Sequence, residues 1–138
     1  MPDNNHISLA TSDRQLVLIF NSDIKNHREI RAYAESAGKD LLAIDISKTK
    51  VAGTVWTEIA DLLEIRVLDI VKSEHATFIE KYGADHQVDC DGAIKFLQND
   101  PEMLIYPIAI KGDKAKEVQI YGHMQDFFGP DTAAVNIP

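Results

Sequence analysis

"LVLIFNSDIKNHREIRAYAESAG", residues 16–38, is the stretch that decides the fold. With Gln15 in front, "QLVLIF" is an apolar run of strand length, suited to a strand buried on both faces. From Lys25 the period changes: Ile30, Tyr33, Ala34 and Ala37 recur at i, i+3, i+4 and i+7, and Gly38 stands where a left-handed helix cap is common. A strand, a short turn and a helix of about three to four turns follow from this pattern. The turn "NSDIK" lies where many enzymes carry a reactive group, yet its centre is Ile24, which has no lone pair.

Working outward, "LLAIDI" at 41–46 is a second short apolar run, so the first 50 residues read as a strand-helix-strand unit with parallel strands. Beyond the connector "SKTKVAG", Thr54 is placed to cap a helix carrying Val55, Ile59, Leu62 and Leu63 on one face. "VLDIV" forms a further helical patch, and Ser73 precedes a helix with Phe78, Ile79 and Tyr82 on one side and Gly83 as its stop. Asp91 opens another helix, which ends before Asp100-Pro101 because a residue preceding proline avoids helical geometry. Residues 54–99 are thus expected to be entirely helical.

After that block, "MLIYPIAI" and "EVQIY" are extended runs joined by "KGDKAK", with Gly-Asp as the turn, and should pair as an antiparallel hairpin. "GHMQDFFG" adds one short closing helix. The expected organisation is a single domain: a polar tail at 1–13, β-containing halves at 14–50 and 101–128, the helical insertion at 54–99 and a second tail at 129–138.

Composition narrows the function. The 138 residues are one domain's worth, with 45% hydrophobic and 26% charged residues, the balance of a folded globular chain. A net charge of −8 and a pI near 5.0 repel phosphate backbones, which speaks against nucleic-acid partners. No apolar run reaches the roughly 18 residues of a membrane span, and the polar start lacks a signal core, so no membrane association and a cytoplasmic location are expected. One cysteine, Cys90, cannot form an internal disulfide, and no Cys/His spacing suits a metal. His27, His75, His86 and His123 are scattered and read as surface or packing residues, and Trp56 reads as core.

The β-α-β unit, the hairpin opening with apolar-apolar-X-Pro and the closing helix together resemble a thioredoxin-like fold. The helical insertion between the halves makes the chain similar to the arsenate reductase family, which includes redox-sensing transcriptional regulators that contact RNA polymerase. The resemblance covers about residues 15–128. Where the family has Asn-Pro-x-Cys and a polar stretch ending in Arg-Glu, "FNSDIKNHRE" keeps Asn21, Arg28 and Glu29 but has Ser22 at the proline and Ile24 at the cysteine position. In "DPEMLIYPIAI", Pro101, Pro107 and Ile108 match, while Tyr106 stands where an arginine belongs. The family's Gly-Arg-Pro corresponds to Gly122, His123 and Met124, and a third family arginine falls near Val71 or Lys72 without a definite match.

What the resemblance implies is a scaffold without its chemistry. Family arsenate reduction needs a thiolate with its pKa lowered at a helix N-terminus, and arginines that fork onto the oxyanion. Isoleucine, tyrosine and histidine supply neither, so no catalytic residue is assigned and the chain reads as a pseudoenzyme toward arsenate. Cys90 falls in the loop before the last helix of the insertion and reads as a buried or half-exposed structural cysteine, with Asp89 and Asp91 opposing its thiolate. The resemblance also implies a cis peptide before Pro107, and a trans bond would count against it.

Asn21, Ser22, Lys25, Arg28, Tyr106 and Pro107 are the expected ligand-binding residues. The preferred reading is a non-catalytic adaptor that holds a protein or peptide partner in a groove between Ile24 and Pro107; a small anion at the helix N-terminus is the alternative ligand. The alternative is a glutaredoxin-like enzyme reducing arsenate or disulfides with borrowed glutathione. Regulation of transcription, by analogy with the family's sensors, comes last because those sensors use the loop cysteine that Ile24 replaces.

Overall fold

A computed structural model of the chain describes residues 15–37, 40–83, 88–124 and 127. The tails at 1–13 and 129–138, the Gly38 cap and His86 lie outside the described residues. The central sheet has four strands in the order β2-β1-β3-β4: β1 Gln15–Phe20, β2 Asp40–Asp45, β3 Ile108–Lys111 and β4 Lys114–Glu117. β1 runs parallel to β2 and antiparallel to β3, and β3 pairs antiparallel with β4, so the sheet is mixed.

The continuous apolar run of β1 follows from its central place. Val17 and Ile19 face one layer of the core, and Leu16, Leu18 and Phe20 face the other. On the second side α1, Lys25–Ser36, lays Ile30 and Ala34 against the sheet, joined by Val118, Met124 and Phe127. On the first side stands the helical block: α2 Gly53–Leu63, a 3-10 turn Val67–Ile70, α3 Ala76–Tyr82, α4 Cys90–Asn99 and a second 3-10 turn Pro101–Met103. Trp56, Ile59, Phe78, Phe96 and Leu97 from this block pack with Val17, Ile19, Ile108 and Ile110. Trp56 is a core residue, 1% exposed, as expected.

Several local expectations are corrected. α2 begins at Gly53 behind Ala52, so Thr54 lies inside the helix and caps nothing, and no side chain caps this end. The cap of α3 is His75, whose side chain accepts from the Thr77 N–H at 3.1 Å, rather than Ser73. α4 starts behind Asp89, which accepts from the Gly92 N–H at 2.8 Å, so Asp91 falls in the first turn. Gly83 does stop α3, with φ 87°.

The hairpin forms, but its second strand is "KAKE" and not "EVQIY": β3 turns through Gly112 and Asp113 directly into Lys114–Glu117, with Gly112 at φ 62°. β4 is the outer strand, where lysines suit a solvent-facing edge. A 3-10 turn, Tyr121–Met124, opens the stretch where the closing helix is expected; Phe127 is helical, and the rest of the expected helix, 125–126 and 128–129, lies outside the described residues.

An isolated antiparallel bridge between Val71 and Leu104 ties the middle of the block to the segment that follows it: the Lys72 N–H donates to the Met103 carbonyl at 2.8 Å, and the Ile105 N–H to the Ile70 carbonyl at 3.1 Å. The segment 105–107 is therefore fixed before it enters β3.

Candidate functional site

Three segments meet at one end of the sheet: the loop 21–24 between β1 and α1, the end of β2 at Asp45 and the turn after it, and the segment Ile105–Pro107 before β3. The loop is shaped by its first residue. Asn21 is buried, 1% exposed; its side-chain oxygen accepts from the Asp23 N–H at 2.8 Å and its carbonyl from the Ile24 N–H at 3.0 Å. An Asx-type turn of this kind lets asparagine close a tight bend on its own side chain. The Arg28 N–H then bonds to the Ile24 carbonyl at 3.0 Å, opening the helix.

Ser22 is held from the next strand. Its N–H donates to Asp45 Oδ1 at 3.0 Å, and its hydroxyl lies 3.2 Å from the Ser47 hydroxyl. Asp45 also receives the Ser47 N–H at 3.1 Å and the Ser47 hydroxyl at 2.7 Å. Burial pushes the Asp45 carboxyl upward, but the hydrogen bonds from Ser22 and Ser47 outweigh it and bring the pKa down to about 2. From α1, Arg28 Nη1 donates back to the Ser22 carbonyl at 2.8 Å.

His27 ties the loop to the third segment. It is buried, 1% exposed, and its Nδ1 accepts from the Asn21 backbone N–H at 3.0 Å. That bond leaves Nδ1 unprotonated, so the proton sits on Nε2, which reaches the Ile105 carbonyl at 3.3 Å. Burial is the main cause that lowers the His27 pKa, with nearby Lys72 adding to it and the Ile105 carbonyl opposing. Of the scattered histidines, this one packs as expected but with a role that no spacing in the sequence signals.

The expected site residues thus fall into two groups. Asn21, Ser22 and Arg28 converge on the loop but spend polar groups on its own framework. Lys25 is exposed at the first turn of α1, while Ile24 and Tyr106 are half-buried and Pro107 is buried. His123 accepts from the Gln119 N–H at 3.1 Å, so it closes the turn after β4. Ile24 is the N-cap of α1 and offers no capping side chain, and no acidic residue occupies the first turn.

Two expectations are corrected here. Among the described residues there is no cis peptide, so Pro107 is trans; its carbonyl takes the Val118 N–H at 2.8 Å, and the chain enters β3 without the isomer that the resemblance implies. At this position the resemblance fails. Cys90 is neither buried nor in the loop before the helix: it is exposed, the first residue of α4. It lies at a separate cavity of about 330 Å³, lined also by Ala60, Ile65, Arg66 and Val67. Among the described residues no group of His, Cys, Asp and Glu could hold a metal ion, and no helix is long and apolar enough to cross a membrane.

By sequence, no family model and no curated protein matches the chain. By structure it is similar to the arsenate reductase from Vibrio cholerae, with a TM-score of 0.72 and 16% identity over 85% of this chain and 99% of that one. It is also similar to an arsenate reductase candidate from Yersinia pestis (TM-score 0.71, 14% identity, 80% of this chain and 98% of that). A third likeness is to an arsenate-reductase-related protein from Brucella melitensis (TM-score 0.58, 14% identity, 83% and 95%). The chain therefore has an α/β, thioredoxin-like fold of the arsenate-reductase type, its mixed sheet and helical block included. At these identities the likeness defines the fold alone.

Proposed function

We propose that this chain is a non-catalytic binding protein built on the arsenate reductase scaffold, holding a protein or peptide partner along the loop 21–25 and Tyr106–Pro107. In this reading Ile24 occupies the position of the family's nucleophilic cysteine, and Tyr106 and His123 occupy positions of its oxyanion-binding arginines. The observation that carries it is the division of labour in the loop. Asn21, Ser22, His27 and Arg28 bond inward, while the half-buried Ile24 stands at the tip without a polar group to offer.

A rigid loop with an apolar tip is suited to contact rather than to proton or electron transfer. Cross-linking of cell extract with wild type and Ile24→Asp tests it. Partners lost in the variant support the groove, and an identical partner set for both argues against it.

A second reading follows from the bare start of α1. The N–H groups of Lys25, Asn26 and His27 have no capping side chain and no carboxylate beside them in the first turn. That arrangement suits a small anion, or the carboxylate of glutathione serving as a borrowed thiol for a glutaredoxin-like reaction. Melting curves with phosphate, arsenate and glutathione decide it: a rise in Tm supports binding, and no shift at several millimolar removes this reading.

A further inference from the structure

We propose that His27 is a pH-sensitive clasp: while neutral it fastens the Asn21 end of the loop to Ile105, and on protonation it lets Asn21 go. This goes beyond the groove reading and does not depend on it. The geometry is a single imidazole bridging two backbone groups, 78 residues away on the far side, at Ile105, and six away on the near side, at Asn21. On the near side the imidazole is the acceptor. A proton added at Nδ1 sets an N–H against the Asn21 N–H at a separation of 3.0 Å, so this hydrogen bond is lost and a buried donor is left unpaired.

The far side does not resist protonation in the same way, because Nε2 donates to the Ile105 carbonyl in both charge states. Release is therefore confined to the loop, and the segment before β3 keeps its bond. Among the described residues, the charged side chain from outside its own helix that acts on the ring is Lys72, in the connector after Val71, and its positive charge opposes the protonated form. On α1 itself the neighbouring Arg28 is directed to the Ser22 carbonyl. Burial and Lys72 both hold the ring neutral, so the clasp stays shut at neutral pH and opens only below the ordinary histidine value of 6.5.

The sign follows from linkage. The folded-state pKa is lowered, so the loop's closed form keeps its full stability above pH 6.5 and loses it as the pH falls through the folded value, by at most about tenfold per pH unit for one proton.

The test is NMR of the wild-type chain from pH 8 to pH 5. Nitrogen shifts of the His27 ring should show Nδ1 bare and Nε2 protonated at pH 8. The Asn21 amide shift and its exchange protection, corrected for the intrinsic pH dependence of exchange, should change with the same midpoint as the ring, below pH 6.5. His27→Asn, which offers an amide oxygen to the Asn21 N–H and does not titrate, should make the Asn21 amide insensitive over this range. A proton on Nδ1 at pH 8, an Asn21 response with a midpoint apart from the ring, or the same pH response in His27→Asn would each overturn the proposal. The wild-type titration decides it even if the variant does not fold.

Discussion

Asp45 at the end of β2 accepts the backbone N–H of Ser22 at 3.0 Å, so the loop after the first strand is tied to the end of the second. The pair is 23 residues apart in sequence, and the same carboxylate oxygen takes two further bonds from Ser47. This is what makes the loop a fixed surface. Asp45→Ala leaves the Ser22 N–H without its partner and should cost about 1–3 kcal/mol, read as a lower denaturation midpoint at unchanged slope.

The same carboxyl gives a pH dependence. Its folded pKa of about 2 is below the ordinary 3.8, so the stabilisation is complete above about pH 4 and is lost as the pH falls through about 2. The stability advantage of wild type over Asp45→Asn, measured by denaturant unfolding, should shrink between pH 4 and pH 2. An advantage constant over that range contradicts the bonding described.

Gly92, in the first turn of α4, has no room for a side chain. A Cβ there would lie 2.4 Å from Val88 Cγ2 and 3.2 Å from the capping oxygen of Asp89. Alanine ordinarily favours a helix over glycine by about 1 kcal/mol. Here the clash outweighs that gain, and Gly92→Ala should destabilise by about 1–3 kcal/mol, seen as a fall in Tm.

Ile24→Cys in a Cys90→Ser background places a thiol at the bare start of α1. Cys90, by contrast, has Asp89 as its N-cap and Asp91 in its first turn. The thiol at 24 should be alkylated about two- to fivefold faster at neutral pH than Cys90 of wild type, since it has one neighbouring carboxylate, Asp23, and none in the first turn, where Cys90 stands between Asp89 and Asp91. If Tyr106 and His123 hold the oxyanion positions, as proposed, the variant should still not reduce arsenate, because neither side chain provides a forked cation.

Much of the fold was legible because burial writes itself into composition. β1 is a continuous apolar run since both of its faces are covered, and α1 shows the spacing of Ile30 and Ala34. The second hairpin strand is hard to place from sequence for the opposite reason. β4 is an outer strand of Lys114, Ala115, Lys116 and Glu117, with little apolar signal, while the conspicuous Val118 and Ile120 come after it. Helix starts were ambiguous where two cap-forming residues stood close together, as Asp89 and Asp91 do. The site was the least legible. Asn21 and Ser22 were visible as loop residues, but their partners Asp45 and Ser47 belong to another strand and its turn, and the His27–Ile105 bond spans 78 residues with no periodic or motif signal.

A scaffold that binds without turnover is put to the test by glutathione-dependent reduction of arsenate and of a small disulfide, measured with wild type beside Cys90→Ser. No rate above the uncatalysed reaction is expected with either protein. Turnover by both would contradict it, because the loop would then be supporting chemistry with a borrowed thiol.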